Sequence, residues 1–388
     1  MQNLLVLALL GLICSAVLAQ EPEEAPAQPD PLRLVLPPDL YAVQGQELSL
    51  YFDNVILTPN WRNFLYDVDC RIGRQDEDRW RVTPQEAEVG DHPLSLKVLD
   101  GANQIVTQGT TTVHVLPASA GAGKEFTLMC VGDSLTNASY YPLELFNLFA
   151  TEGNARLRLV GTHYVRDSLP KEVVHEGYGG WTWAAFCSRW TDGADVRAKS
   201  PFMRLVDGTP TLDFQDYCDR VNNGVAPDFI TILLGCNDTF GSSEEAIEQT
   251  IDTMFGWADK LLAEFQRVGP NTQIGILLLV PPAASQDAFG SNYKCGQTRW
   301  QYRRNQHRVV ERMMERLSGR ENQNIWLLPA HVNLDCVHNY PVSREQANAR
   351  NPLEVLRQNN GVHPSAEGYY QIADTIYAWL KSRLAAGD

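Results

Sequence analysis

The stretch Phe126-Thr-Leu-Met-Cys-Val-Gly-Asp-Ser-Leu-Thr136 decides how this chain is read. Its first half is apolar almost throughout. Strands of a parallel sheet read this way because helices cover both faces, whereas a half-solvated strand alternates. Its second half breaks the run with Gly132-Asp133-Ser134 and so leaves Ser134 at the carboxyl end of the strand, the edge where open parallel sheets place their sites. Taken alone, Gly-Asp-Ser is also an ordinary turn composition. The segments on either side must decide.

Downstream, the buried runs Phe229-Ile-Thr-Ile-Leu-Leu234 and Ile274-Gly-Ile-Leu-Leu-Leu-Val280 alternate with helical segments. Pro142-Leu-Glu-Leu-Phe-Asn-Leu-Phe149 has proline near a helix start, and Tyr369 to Leu380 places Ile372, Ala373, Ile376 and Leu380 on one stripe. Fully apolar strands separated by helices predict a parallel sheet in an α/β fold over residues 125–388. Upstream the pattern is different. Glu47-Leu-Ser-Leu-Tyr-Phe52, Leu65-Tyr-Asp-Val-Asp-Cys70, Leu94-Ser-Leu-Lys-Val98 and Thr112-Val-His-Val-Leu116 alternate, as strands with one buried face do. Residues 32–117 therefore read as a small all-β sandwich. Within them, Val89-Gly-Asp-His-Pro-Leu94 resembles the turn entering a late strand of immunoglobulin-like domains. The small-residue stretch 118–124, without periodicity, is read as a linker.

Leu4 to Ala19 is too short to span a bilayer and reads as an export signal over residues 1–19, followed by a Pro- and Glu-rich tether over 20–31. A secreted or periplasmic location is expected, with no integral membrane segment once the signal is removed. The net charge of -15 repels phosphate backbones, which argues against a nucleic-acid partner. Without Cys14, seven cysteines remain, an odd number that cannot all pair. An oxidising compartment permits bridges, and Cys187 with Cys218 or Cys295 with Cys336 are the candidates.

Three later segments bear on Ser134. His175-Glu-Gly-Tyr-Gly-Gly-Trp-Thr182 is a glycine-rich loop, Pro227 to Asp238 ends a buried strand with Asn237 at its carboxyl end, and Asn360-Gly-Val-His363-Pro364 sets a histidine before the last helix. In order, Gly-Asp-Ser-Leu, Gly-Gly-Trp-Thr, Leu-Gly-x-Asn-Asp and Val-His-Pro resemble the four blocks of the SGNH, or GDSL, hydrolase superfamily, and the resemblance spans about Phe126 to Leu380. It implies a three-layer α/β/α, flavodoxin-like fold and ester hydrolysis through an acyl-enzyme, with no cofactor and no metal.

By the same resemblance, Ser134 is the nucleophile and His363 its general base, a pairing that serine chemistry needs because the hydroxyl is a weak nucleophile at its own pKa. The backbone N–H groups of Ser134 and Gly180 and the side-chain amide of Asn237 form an oxyanion hole, and Asp133 supports them. One position departs from the family: Asn360 stands where an aspartate is usual three residues before the histidine. An amide cannot stabilise an imidazolium as a carboxylate does, so either the backbone carbonyl of Asn360 or another carboxylate such as Asp335 is expected to orient His363.

Trp183 belongs to an apolar stripe with Phe186, Cys187 and Trp190, whereas Trp181, directly after Gly180, is expected in the cleft as a face for stacking on a sugar or acyl group. His331, Asp335 and His338 are read as loop residues rather than metal ligands. The expected substrate is an acetylated, or otherwise acylated, carbohydrate. That choice rests on export, on the appended sandwich, and on the likeness of Ser200-Pro-Phe202 and Leu212-Asp-Phe214 to loops of bacterial sugar acetylesterases. The alternatives are a lipase-like or aryl esterase using the same residues, and a binding protein on a decayed hydrolase fold, which the Asn360 departure motivates.

Overall fold

The computed structural model describes residues 32–165 and 167–386; the export segment and tether read from residues 1–31 lie outside them. Where the sequence alternates, two small sheets form. One has the order Asp39–Val43, Ile105–Leu116, Gly90–Leu99, Leu65–Cys70, antiparallel except that Asp39–Val43 runs parallel to its neighbour. The other is antiparallel, of Leu48–Tyr51, Arg79–Val82 and Arg74–Gln75. Alternate residues Leu94, Leu96 and Val98 of one strand and Val113 and Val115 of the next are buried, as a period of two requires.

Where the sequence is continuously apolar, the strands run parallel. Glu125–Gly132 lies between Phe229–Leu233 on one side and, on the other, Arg156–Leu159 beside its first half and Glu176–Gly177 beside its end. Gln273–Leu277 and Ile325–Leu328 complete the sheet. The chain thus leaves the first strand to one side and returns on the other, and such a reversal opens a crevice at the carboxyl ends of the strands it separates. Helices Tyr140–Phe149 and Ala366–Ala386 pack together on one face. Trp183–Ser188, Ile247–Val268 and Arg299–Leu317 form the other layer, which makes the three-layer arrangement expected from the apolar strands.

The β-rich region is joined to this α/β body by polar contacts. The short helix Phe52–Val55 delivers the carbonyls of Asp53 and Ile56 to the buried guanidinium of Arg303, and Asn54 Nδ2 donates to the Leu334 carbonyl at 2.8 Å. Tyr51 N donates to Val332 O at 3.0 Å, and the buried His331 has its Nε2 on the Val35 carbonyl at 2.9 Å. Asp335 pairs with His338 Nδ1 at 2.9 Å, so two of the three residues weighed as metal ligands face each other while His331 faces a backbone carbonyl.

None of the seven cysteines is paired. Cys187 and Cys218 are both buried thiols, and Cys295 is exposed while Cys336 is buried, so neither expected bridge forms. Ser200 to Phe202 and Leu212 to Phe214 flank a hairpin of Met203–Val206 and Thr209–Leu212, and their rings Phe202 and Phe214 are fully buried. Those segments serve packing. A second hairpin, Val342–Asn348 with Asn351–Gln358, stands just before the histidine loop and carries exposed Val342, Leu353 and Leu356.

Candidate active site

Ser134 begins the short helix Ser134–Asn137 at the end of the first parallel strand. Gly132 makes the turn possible, because a Cβ there would collide with the Thr136 hydroxyl and lie 2.9 Å from Leu233 O. Asp133 caps the helix, its Oδ1 accepting from Leu135 N at 2.9 Å. From the far side of the sheet reversal, the loop before the last helix brings His363 into place. Its Nε2 lies 2.8 Å from Ser134 Oγ, a contact between residues far apart in the chain. Burial lowers the His363 pKa below the usual imidazole value, which keeps the ring neutral and able to accept a proton.

The second sheet element at this edge is the turn after Glu176–Gly177. Tyr178 N donates to Gly132 O at 3.0 Å, tying the glycine loop to the serine strand, and Gly180 takes a φ of 79°, open to glycine without strain. Among the described residues, nothing accepts a hydrogen bond from the backbone N–H of Ser134 or of Gly180. Asn237, in the short helix Cys236–Thr239 that follows the next strand, donates from Nδ2 to Trp181 O at 3.0 Å and to Asp133 Oδ2 at 3.3 Å. The latter contact is long and correspondingly weak.

Behind these groups lies a buried polar network. Cys236 donates its thiol to Asp133 Oδ2 at 2.9 Å. Burial pushes the Asp133 carboxyl up to about 6 against the pull of that thiol and the Leu135 N–H. Asp238 accepts from Trp183 N at 3.3 Å through one oxygen while the other is buried without a partner, and desolvation raises its pKa to about 7. His175, at the start of the glycine loop, is fully buried with Nε2 2.8 Å from Ser139 Oγ and Nδ1 accepting from Gly177 N at 3.1 Å. Glu176 beside it is also buried and receives the hydroxyls of Tyr178 at 2.6 Å and Tyr217 at 2.8 Å. A Glu-x-Tyr in an otherwise apolar loop was the available signal for this second network.

Two expectations about side chains require correction. Trp181 is not in the cleft: it is 1% exposed, its ring stacked on Tyr178 with centroids 4.2 Å apart and packed edge-on to Phe186. The Gly179-Gly180 turn rotates the chain so that Trp181 N bonds back to Tyr178 O, and the indole goes under the loop rather than over it. Asn360 does not orient the imidazole either. Its Oδ1 accepts from the backbone N–H of Val362 at 3.1 Å and of His363 at 2.9 Å, an Asx turn that shapes the loop. Asp335 is spent on Val337 N, His338 N and the His338 ring. Among the described residues, none makes a hydrogen bond to His363 Nδ1.

Ser134, Gly180, Asn237 and His363 thus meet at one edge, and the arrangement suits attack by a hydroxyl on a carbonyl with N–H donors alongside. No curated protein matches the chain. Among solved structures, a family 3 carbohydrate esterase from Clostridium thermocellum is 18% identical with a TM-score of 0.42, covering 68% of this chain and 98% of that one. An acetyl-xylooligosaccharide esterase from Geobacillus is 16% identical (TM-score 0.35, covering 66% and 94%). A carbohydrate acetylesterase from Sinorhizobium meliloti is 13% identical (TM-score 0.36, covering 66% and 99%). The family model described as GDSL-like lipase/acylhydrolase matches residues 128–376. Because that match runs from within the strand of Ser134 into the helix after His363, the chain belongs to the GDSL-like lipase/acylhydrolase family and is a carboxylic ester hydrolase.

Proposed function

We propose that this chain is an exported serine esterase that removes acetyl or other small acyl groups from carbohydrates. The observation that carries the reading is the 2.8 Å contact between Ser134 Oγ and His363 Nε2 beside two unspent backbone N–H groups. His363 takes the Ser134 proton as the oxygen attacks the ester carbonyl, and the tetrahedral oxyanion is met by the N–H groups of Ser134 and Gly180. Asn237 joins them by exchanging its long bond to Asp133 for one to the oxyanion, while keeping Trp181 O. Protonated His363 then gives its proton to the leaving alcohol, which frees the sugar hydroxyl. Water repeats the sequence on the acyl-serine and releases the acid.

A small acyl group is supported by what fills the space under the glycine loop. Tyr178, Trp181 and Phe186 are buried and mutually packed there, so a long chain entering behind Gly180 would have to displace them. Their burial contributes about 1.5–3 kcal/mol for a ring of phenylalanine size, which opposes such opening. Export is supported by the Leu4 to Ala19 run. The test is an acyl-length series on the purified protein together with acetate release from acetylated polysaccharides. Preference for acetyl and release of acetate are expected; preference for long chains would favour a lipase-like enzyme, although each added methylene normally gains about 0.8 kcal/mol when buried.

A further inference from the structure

At the seam between the β-rich region and the α/β body there is a second recess. A cavity of about 160 Å³ lies between Trp61 and Arg62 on one side and Ala284 and Val337 on the other, with Asp53, Asp78 and Arg299 in its lining. Liquid water would place about five molecules in that volume, which is also the size of one sugar ring. Its charges cancel: two carboxylates face two guanidiniums, and Arg299 is paired with Asp53 at 3.0 Å. Neither an anion nor a cation is favoured by such a balance.

Two polar groups remain to be used, beside an aromatic ring, Trp61, that the Arg62 guanidinium covers on one face, 4.2 Å from its centroid. Trp61 is held in place by Tyr66, whose hydroxyl donates to the Trp61 carbonyl at 2.9 Å, but its own indole N–H has no acceptor among the described residues. The Asp78 carboxylate has no hydrogen-bond donor among them either. An indole, a free donor and a free acceptor around a neutral recess are what a pyranose ring with its hydroxyls recognises. The wall of the recess is also tied to the histidine loop. Ala283, next to Ala284, donates to Gly361 O at 3.1 Å, and Gln358 Nε2 donates to the carbonyls of Cys336 and Val337 at 2.8 and 2.9 Å.

We propose that this cavity is a subsite for a neutral pyranose residue on the alcohol side of the substrate, so that the β-rich region reads the carbohydrate whose acyl group meets Ser134. The proposal rests on the carbohydrate-esterase reading, and binding is tested apart from catalysis for that reason. The full chain carrying Ser134→Ala is titrated calorimetrically with xylotetraose and cellotetraose as unacylated probes. Binding is expected to weaken at least tenfold when Trp61→Ala is added and to be only partly restored by Trp61→Phe, which returns the ring but not the N–H donor. Asp78→Asn, which preserves shape, is expected to weaken binding severalfold and takes the place of Trp61→Ala should circular dichroism show that variant unfolded. Equal affinity with and without these substitutions, or no binding of either probe, overturns the subsite. Failure of the parent enzyme to release acetate from any acetylated saccharide, with probe binding and its Trp61 dependence intact, would instead overturn the esterase substrate and leave the sugar site standing.

Discussion

Asp133, on the serine side of the site, receives hydrogen bonds from Leu135 N, Cys236 Sγ and Asn237 Nδ2, whereas the imidazole of His363 is held by Ser134 alone among the described residues. On one side the polar groups are buried and anchored to two strands; on the other the backbone is shaped by Asn360 but the ring is not gripped. The contrast teaches where each half of the chemistry is secured. Donors for a developing charge must be fixed before the reaction, because reorganising them costs the stabilisation they provide. A base that moves a proton between two oxygens tolerates more freedom, provided its loop holds it in reach.

The strongest blow to this comparison is at the contact joining its halves. Ser134→Ala is expected to abolish labelling by a fluorophosphonate and to lower turnover by on the order of 10⁴ or more. Labelling that persists in the variant, read by intact-protein mass, would move the nucleophile elsewhere. Next comes the better-anchored side. Asn237→Ala should lower kcat by about 10²–10³ with little change in KM, because in the proposed mechanism the amide is called on only in the transition state. If KM and thermal stability change while kcat does not, the amide only closes its loop onto Trp181 O.

The anchoring itself carries a cost that pH reveals. Asp238 has its carboxyl pKa raised to about 7 by burial, so folding favours its protonated form. The stability this gives is present below the unfolded pKa near 4 and is lost as pH rises through 7. Asp238→Asn removes the ionisable group and is expected to gain about 1–3 kcal/mol at pH 8 and nothing at pH 4, as chemical denaturation at the two pH values would measure. A gain equal at both would mean that the carboxylate is not desolvated.

The smallest effect sharpens the loosely held side. In the proposed mechanism the neutral His363 ring is the active form, so in the parent enzyme the acid limb of kcat/KM should fall below the ordinary imidazole value of 6.5, since burial lowers the His363 pKa. Asn360→Asp retains an acceptor for the Val362 and His363 N–H groups and adds a negative charge nearby, so the limb should move up by as much as about one pH unit. Asn360→Ala should leave the limb in place while reducing stability by about 1–2 kcal/mol through the lost backbone bonds. An unshifted limb in Asn360→Asp would show that the charge does not reach the ring.

Much of this was legible in the sequence because it is local. The run before Ser134, the alternation in Leu65 to Cys70 and the stripe after Tyr369 each set their element through the period of their own side chains. Ser134 and His363 were legible as a pair only through the order of the four blocks, since nothing local says that residues so distant will touch. Trp181 was misread because adjacency to Gly180 fixes where its backbone is and not which way the turn sends its side chain. Asn360 was placed in the loop, but among the described residues its backbone carbonyl makes no hydrogen bond to the His363 ring, and its side chain closes an Asx turn onto N–H groups two and three residues on. The seam was not legible at all. Arg303 sits in a helix rich in arginine, and only the fold distinguishes it from the exposed ones.

That buried arginine has a thermal and a genetic consequence. Its charge is satisfied by carbonyls some two hundred and fifty positions earlier in the chain, on a segment belonging to the β-rich region. Covering the arginine without those carbonyls would strand a cation in the interior, a defect that typically costs about 3–5 kcal/mol. A calorimeter should therefore record one endotherm for the whole described chain rather than a separate melt for each architecture. By the same logic the front part is not a cassette: a graft exchanging it for an unrelated sandwich would have to bring its own pair of carbonyls to the same spot, or replace the arginine along with it.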